Sequence, residues 1–286
     1  MKRFITPGLI GLLVPLCSYQ FLALSEEAKE QISKEFTLTT EAGRNTLALY
    51  NIDGSVTVQG YAGNKVVVEA TKIIRADDAQ TLAAGKQETQ LGFLQRNDSV
   101  VVYMKEPFDS RPNRHSHHKD INYHYTFNYV VKVPYQMNLH LSTINNGAVL
   151  VQNVTGALTA YNVNGALKLE NVQGTTKVHT VNGNVEATYA ANPPGPSSYH
   201  TINGQIKVTY PADVSADIHF KSMHGELFTD FANAQVLPMQ VTQNKQNTGN
   251  GTQYKITKDT AVRLGKGGKD FRFETLNGNV TIKQRP

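Results

Sequence analysis

Gly147, Gly156, Gly165, Gly174 and Gly183 stand nine residues apart, and one phrase recurs at every second step. It reads Thr143-Ile144-Asn145-Asn146-Gly147, Tyr161-Asn162-Val163-Asn164-Gly165, His179-Thr180-Val181-Asn182-Gly183 and His200-Thr201-Ile202-Asn203-Gly204. Fainter echoes lie between, at Asn153-Val154-Thr155-Gly156 and Asn171-Val172-Gln173-Gly174. Self-similarity at a short fixed period marks a chain that stacks its repeats. Five residues of strand span roughly 16 Å, which leaves about four of each nine for a corner, so two steps close one coil. Stacked coils pair in parallel, and each buries the face its neighbour leaves open. The expected fold class is therefore all-β, a parallel β-solenoid of the β-helix or β-roll kind. The rival is an antiparallel meander, because Asn-Gly is also the strongest hairpin signal.

Residues aligned on the glycine suggest how such a coil is filled. Ile52, Val154, Val163, Val172, Val181, Ile202, Met223 and Leu276 stand two before it, and Val56, Val149, Leu158, Leu167, Val185, Ile206, Leu227 and Val280 two after it. Side chains alternate sides along a strand, so both sets are expected to point inward while Lys168, Glu186, Lys207 and Thr281 face water. The repeat residues are Gly54, Gly147, Gly165, Gly183, Gly204, Gly225 and Gly278, with Asn164, Asn182, Asn203 and Asn277 preceding four of them. Asn and Gly both tolerate a left-handed backbone at the corner, and stacked asparagines are expected to form a hydrogen-bonded ladder.

Outside the array the pattern loosens. Lys2 and Arg3, an apolar run over 4–24 and the acidic pair Glu26-Glu27 follow the grammar of a signal peptide over 1–25, with Ala23-Leu24-Ser25 as the cleavage site. Cys17, the only cysteine, falls inside that run. A retained membrane anchor is one alternative, since the run is close to spanning length, and acylation of Cys17 is another, although Val14-Pro15-Leu16 lacks the small residue expected just before it. Residues 26–45 read as a lead segment, polar over Glu26–Lys34 and either loose or the start of a short helix there, with period-2 alternation beginning at Phe36-Thr37-Leu38-Thr39, and 46–286 reads as the solenoid domain. One short helix is expected near 77–90, capped by Asp77 or Asp78. Loops are expected at 106–122 and 236–252. The formal charge is +5, and loss of Lys2 and Arg3 would lower it by two. Nucleic-acid binding needs a concentrated basic face, and no basic run supplies one.

Candidate chemistry is sparse. His115, His117 and His118 offer imidazoles in one tract, with His124 beyond, but short His-rich tracts are a weak metal signal. His179 and His200 stand four residues before their glycines and line up through the repeat alone. Asp53, Glu170 and Glu186 form no evident acid–base couple of the sort glycoside cleavage uses. Gly265-Lys266-Gly267-Gly268 lacks the spacing of a nucleotide loop. No cofactor and no catalytic set is expected.

The Thr-x-Asn-Gly-x-Val phrase over 142–209, together with the Gly-Gly-x-x-Phe-x-Phe-x-Thr-x-Asn-Gly-x-Val motif over 267–280, resembles the bacterial "putative adhesin" β-strand-repeat domain. That resemblance implies an exported envelope protein with a β-solenoid body and no established catalytic residues. The expected function is non-enzymatic adhesion or scaffolding, at the cell surface or in the periplasm, toward an envelope protein or glycan, with no membrane span after signal cleavage. The alternatives are a carbohydrate-binding or carbohydrate-active β-helix, and metal binding through His115, His117 and His118.

Overall fold

The computed structural model describes residues 26–39, 42–114, 120–238, 240–248 and 251–286. The signal-peptide expectation over 1–25, including Cys17, and the His115, His117 and His118 tract lie outside them. The described chain is all-β apart from one α-helix and one 3-10 turn, and its strands form two large mixed sheets that do not close.

The array builds the middle of both sheets. Along the chain, Leu167–Val172 enters the first sheet, Thr176–His179 the second, Val185–Tyr189 the first again and Ser197–His200 the second. Every pairing here is parallel and in phase with the repeat: Leu167 lies beside Val149 and Val185, and Val178 beside Ala160 and Tyr199. Alternate side chains then fall between the sheets. Val149, Leu167, Val185, Ile206 and Val280 are fully buried, as expected of residues two after the glycine.

The carboxy-terminal copy does not follow in sequence order. Asp270–Glu274 pairs between Ser197–His200 and Ala216–Lys221, and Val280–Gln284 between Ile206–Tyr210 and Leu227–Thr229. The last motif of the chain is thus inserted between the Gly204 and Gly225 coils. Its Phe271, Phe273, Val280 and Ile282 complete the core there.

Antiparallel strands flank the parallel middle, contrary to a wholly parallel stack. Glu26–Thr37, whose 26–34 stretch is expected as a loose lead or helix start, is a twelve-residue edge strand paired antiparallel with Lys65–Ala76, which pairs antiparallel with His124–Pro134. Its outward side is charged, which protects an edge from further pairing. At the opposite end Gly251–Leu264 runs antiparallel to Ala216–Lys221, and Gln240–Thr248 folds back on it. The expected loop over 236–252 is therefore largely a hairpin. The helix, Ala79–Glu88, begins at Asp78, whose carboxylate accepts from the Thr81 amide at 2.8 Å. Lys72 fixes its far end by donating to the Lys86 carbonyl at 2.7 Å while pairing with Glu30 at 3.1 Å.

The core contains polar groups that hydrophobic periodicity does not reveal. Where Ala190–Ser198 lengthens a coil, three tyrosines fill the widened interior: the Tyr189 hydroxyl donates to Thr176 Oγ1 at 2.5 Å, Tyr189 and Tyr199 hydroxyls meet at 2.6 Å, and Tyr199 and Tyr210 at 2.9 Å. Their rings stack in columns, Tyr189 on Tyr210 at 5.0 Å and Tyr199 on Phe273 at 4.8 Å. Tyr129, at the amino-terminal end, differs. Its hydroxyl is buried and finds no hydrogen-bond partner among the described residues, and burial raises its pKa far above the usual phenolic range. An unpaired buried hydroxyl opposes folding. Tyr129→Phe is expected to raise the urea midpoint, with a gain of about 1 kcal/mol; a loss of stability would show that the hydroxyl has a partner.

Candidate functional site: the outer corner

The corners explain why the phrase has the composition it has. Asn164 Nδ2 donates to Asn145 Oδ1 at 3.0 Å, Asn182 to Asn164 at 2.8 Å, Asn203 to Asn182 at 2.8 Å and Asn277 to Asn203 at 2.8 Å. The half-step corner has its own pair, Asn171 donating to Asn153 at 2.7 Å, and both of these residues have positive φ. At the main corners the left-handed backbone is not the reason for glycine. Of the main-corner glycines only Gly54 and Gly278 have positive φ. The reason is closeness, since a Cβ at Gly183 would run into the Gly165 carbonyl, and one at Gly204 into that of Gly183. The residue three before the glycine points inward and donates to the same carbonyls. Thr180 Oγ1 reaches Gly165 O at 2.9 Å, Thr201 reaches Gly183 O at 2.8 Å and Thr275 reaches Gly204 O at 3.2 Å.

That inward threonine turns its neighbours outward. The residues two before the main-corner glycines, expected in the core, instead line the surface: Leu276 and Met223 are exposed, Met223 at 71%, Val163, Val181 and Ile202 are half-buried, and Ile144, before Asn145, is exposed in the same row. The inward expectation holds only at the half-steps, where Val154 and Val172 are buried. A polar residue three before the glycine was the available signal, because alternation then places the next residue outside.

A second outward row runs beside this aliphatic one. Tyr161, His179, His200, Glu274 and Lys221 are in register on successive strands. Tyr50 and His140 continue the aromatic contacts toward the other end. His179 and His200 stack at 4.4 Å and 11°, so their faces cover each other and their edges face solvent. His200 Nδ1 lies 3.3 Å from Glu274 Oε2. At the carboxy-terminal end the two rows enclose a cleft of about 450 Å³, with His200, Lys221 and Glu274 on one side and Ile202, Met223 and Leu276 on the other. On its floor the Ser222 hydroxyl, at the position of the inward threonines, has no partner among the described residues.

Burial holds His140 below the ordinary imidazole value, and burial followed by repulsion from His200 does the same for His179. The folded chain therefore binds fewer protons than the unfolded chain. Stability from these groups is complete above about pH 6.5 and falls as the pH drops through that value toward the lowered folded pKa. His179→Gln is expected to flatten the decline of the urea midpoint below that pH; an unchanged slope would exclude His179 as its source.

Asp53, Glu170 and Glu186 are each placed by neighbours of their own. Glu170 is held ionised by Lys168 and by Gln152, which donates at 2.6 Å. Asp53 accepts from Thr126 and Asn146 at a corner, and Glu186 lies exposed on the first sheet beside Lys168 and Lys207. Among the described residues no three His, Cys, Asp or Glu side chains are grouped to hold a metal, and no helix is long and apolar enough to cross a membrane.

No protein-family model matches the chain, and no curated protein sequence does. Solved structures do resemble it in outline. A "putative cell adhesion protein" from Clostridium sporogenes is 12% identical over 90% of this chain and 100% of its own, with a TM-score of 0.43. A "putative adhesin" from Bacteroides fragilis is 10% identical over 90% and 98%, at 0.34. A "putative lipid binding protein" from Parabacteroides distasonis is 7% identical over 90% and 97%, at 0.30. At these TM-scores the likenesses carry no functional weight.

Proposed function

We propose that the chain is an exported, non-enzymatic β-solenoid of the cell envelope, with 46–286 as its body, whose outer corner is a contact surface for attachment or scaffolding. The observation that carries this reading is the in-register pair of outward rows, aliphatic through Val163, Val181 and Ile202 and aromatic through Tyr161, His179 and His200. A continuous row of partly exposed apolar side chains, ending in the exposed Met223 and Leu276, is the kind of surface that serves as an interaction site. A sheet-backed corner also holds it rigid, so little ordering cost is added on binding. The stacked imidazoles cover the faces on which a sugar ring would lie, which favours a protein partner over a glycan.

The test is recovery of a partner from envelope fractions by immobilised chain. Wild type is expected to retain one, and Val181→Glu with Ile202→Glu to lose at least about tenfold of the affinity, since charge at the centre of an apolar contact removes its strongest contributions. Lys168→Gln, on the opposite sheet, serves as control and should bind as wild type does. Absence of any partner, or equal retention by the corner variant, overturns the reading.

A further inference from the structure

Five Asn-Gly pairs lie within the described residues, and they are not equivalent. In four, both reacting groups are tied into the stack. The amides of Asn164, Asn182, Asn203 and Asn277 donate along the ladder. The N–H groups of Gly165, Gly183, Gly204 and Gly278 donate to the carbonyls of Asn182, Asn203, Asn277 and His224 in the adjoining coil. Asn146-Gly147 escapes this arrangement because its phrase has one residue more. Asn145 takes the ladder position, bridging Asp53 on one side and accepting from Asn164 on the other. Asn146 is left over, exposed, at φ 55°. Among the described residues the Gly147 N–H has no acceptor, and the Asn146 amide has a single contact, donating from Nδ2 to Asp53 Oδ2 at 2.7 Å.

We propose that Asn146-Gly147 is a site of spontaneous modification, at which Asn146 loses its amide and becomes an aspartyl or isoaspartyl residue. Hydroxide removes the Gly147 amide proton, and the nitrogen bonds to Asn146 Cγ. The bond from Cγ to Nδ2 breaks, and ammonia leaves after taking a proton from water. Water then opens the resulting five-membered imide at either carbonyl, and no oxidant or reductant takes part. Glycine adds no side chain to obstruct the approach, and a nitrogen without an acceptor gives up no hydrogen bond to make it. In the four ladder pairs the same step must first break a backbone hydrogen bond.

The product alters the stack. A carboxylate in place of the Asn146 amide removes the donor to Asp53 and sets two like charges at hydrogen-bonding distance, an arrangement that disfavours ionisation of both. The contact between the first coil, at Asp53, and the array that begins at Asn145 is therefore weakened as the protein ages.

Full-length chain is incubated at mildly alkaline pH, with and without urea, and each Asn-Gly pair is followed by peptide mass mapping. In the folded chain Asn146 is expected to convert at least about tenfold faster than Asn182 or Asn203, the protection given by the hydrogen bonds those pairs must break; in urea the rates should converge. Equal rates in the folded chain, or Asn146 slower than the ladder pairs, would overturn the site. The consequence is tested separately. Asn146→Asp should melt below wild type and recover when Asp53→Asn is added, whereas an unchanged melting temperature, or no recovery, would overturn the proposed repulsion.

Discussion

Gly183→Ala is expected to destabilise the chain by at least about 3 kcal/mol, although alanine is the smallest possible addition. The new methyl would meet the Gly165 carbonyl oxygen, which accepts the Thr180 hydroxyl at 2.9 Å and lies in the adjoining coil. A backbone carbonyl fixed between parallel coils cannot withdraw as a side-chain tip can. Relief must therefore come from separating the coils, at the expense of the corner hydrogen bonds. Gly43 supplies the comparison, since a Cβ there meets nothing within 4 Å. Gly43→Ala should change stability by no more than about 0.5 kcal/mol. Urea unfolding of the two variants measures the difference, and similar midpoints would mean that the corners are not in contact.

Tyr199→Phe is the second large effect, expected at about 2 kcal/mol of lost stability. The three tyrosine hydroxyls and Thr176 form one chain of donors and acceptors with Tyr199 in the middle. Removing that oxygen leaves the Tyr210 hydroxyl buried with no acceptor, while ring packing on Phe273 is retained. The same substitution at Tyr129 should have the opposite sign, because that hydroxyl is unpaired from the start. Two identical chemical changes in one core, differing only in hydrogen bonding, separate the cost of a lost partner from the cost of burial. A matching sign in both would contradict the assignment of partners.

Much of the architecture was legible in the phrase itself. The period of nine residues gave the parallel middle of each sheet, and the apolar residue two after each glycine marked the inward face. The helix was visible through the pair Asp77-Asp78 and the change of pattern after it, and the structure places the cap at Asp78. The amino-terminal edge strand was not, because Glu26–Thr37 buries almost nothing and so carries little hydrophobic alternation. Nor was the place of the last motif, since sequence order does not state spatial order, and only the pairing of Phe271 with Ser197 on one side and Ile218 on the other reveals the insertion. The corner surface was misread for a physical reason. Val163, Val181 and Ile202 look like core residues by type, yet the polar residue before each one is what turns inward to satisfy a glycine carbonyl. Tyr161, His179 and His200, in register on neighbouring strands, stand 18 and 21 residues apart, the coil lengths themselves, so the row is present in the numbering.

The central claim is that successive coils lie directly over one another, and spin-label distances along a single outer row test it. Thr57, Leu150, Lys168, Glu186, Lys207 and Thr281 occupy consecutive strands of the first sheet in one register. At about 4.8 Å per strand, labels on Thr57 and Lys207 should be separated by roughly 19 Å and labels on Thr57 and Thr281 by roughly 24 Å, each step adding one strand spacing. Distances that do not grow in this order, or Thr281 measured nearer to Thr57 than Lys207 is, would contradict the stack.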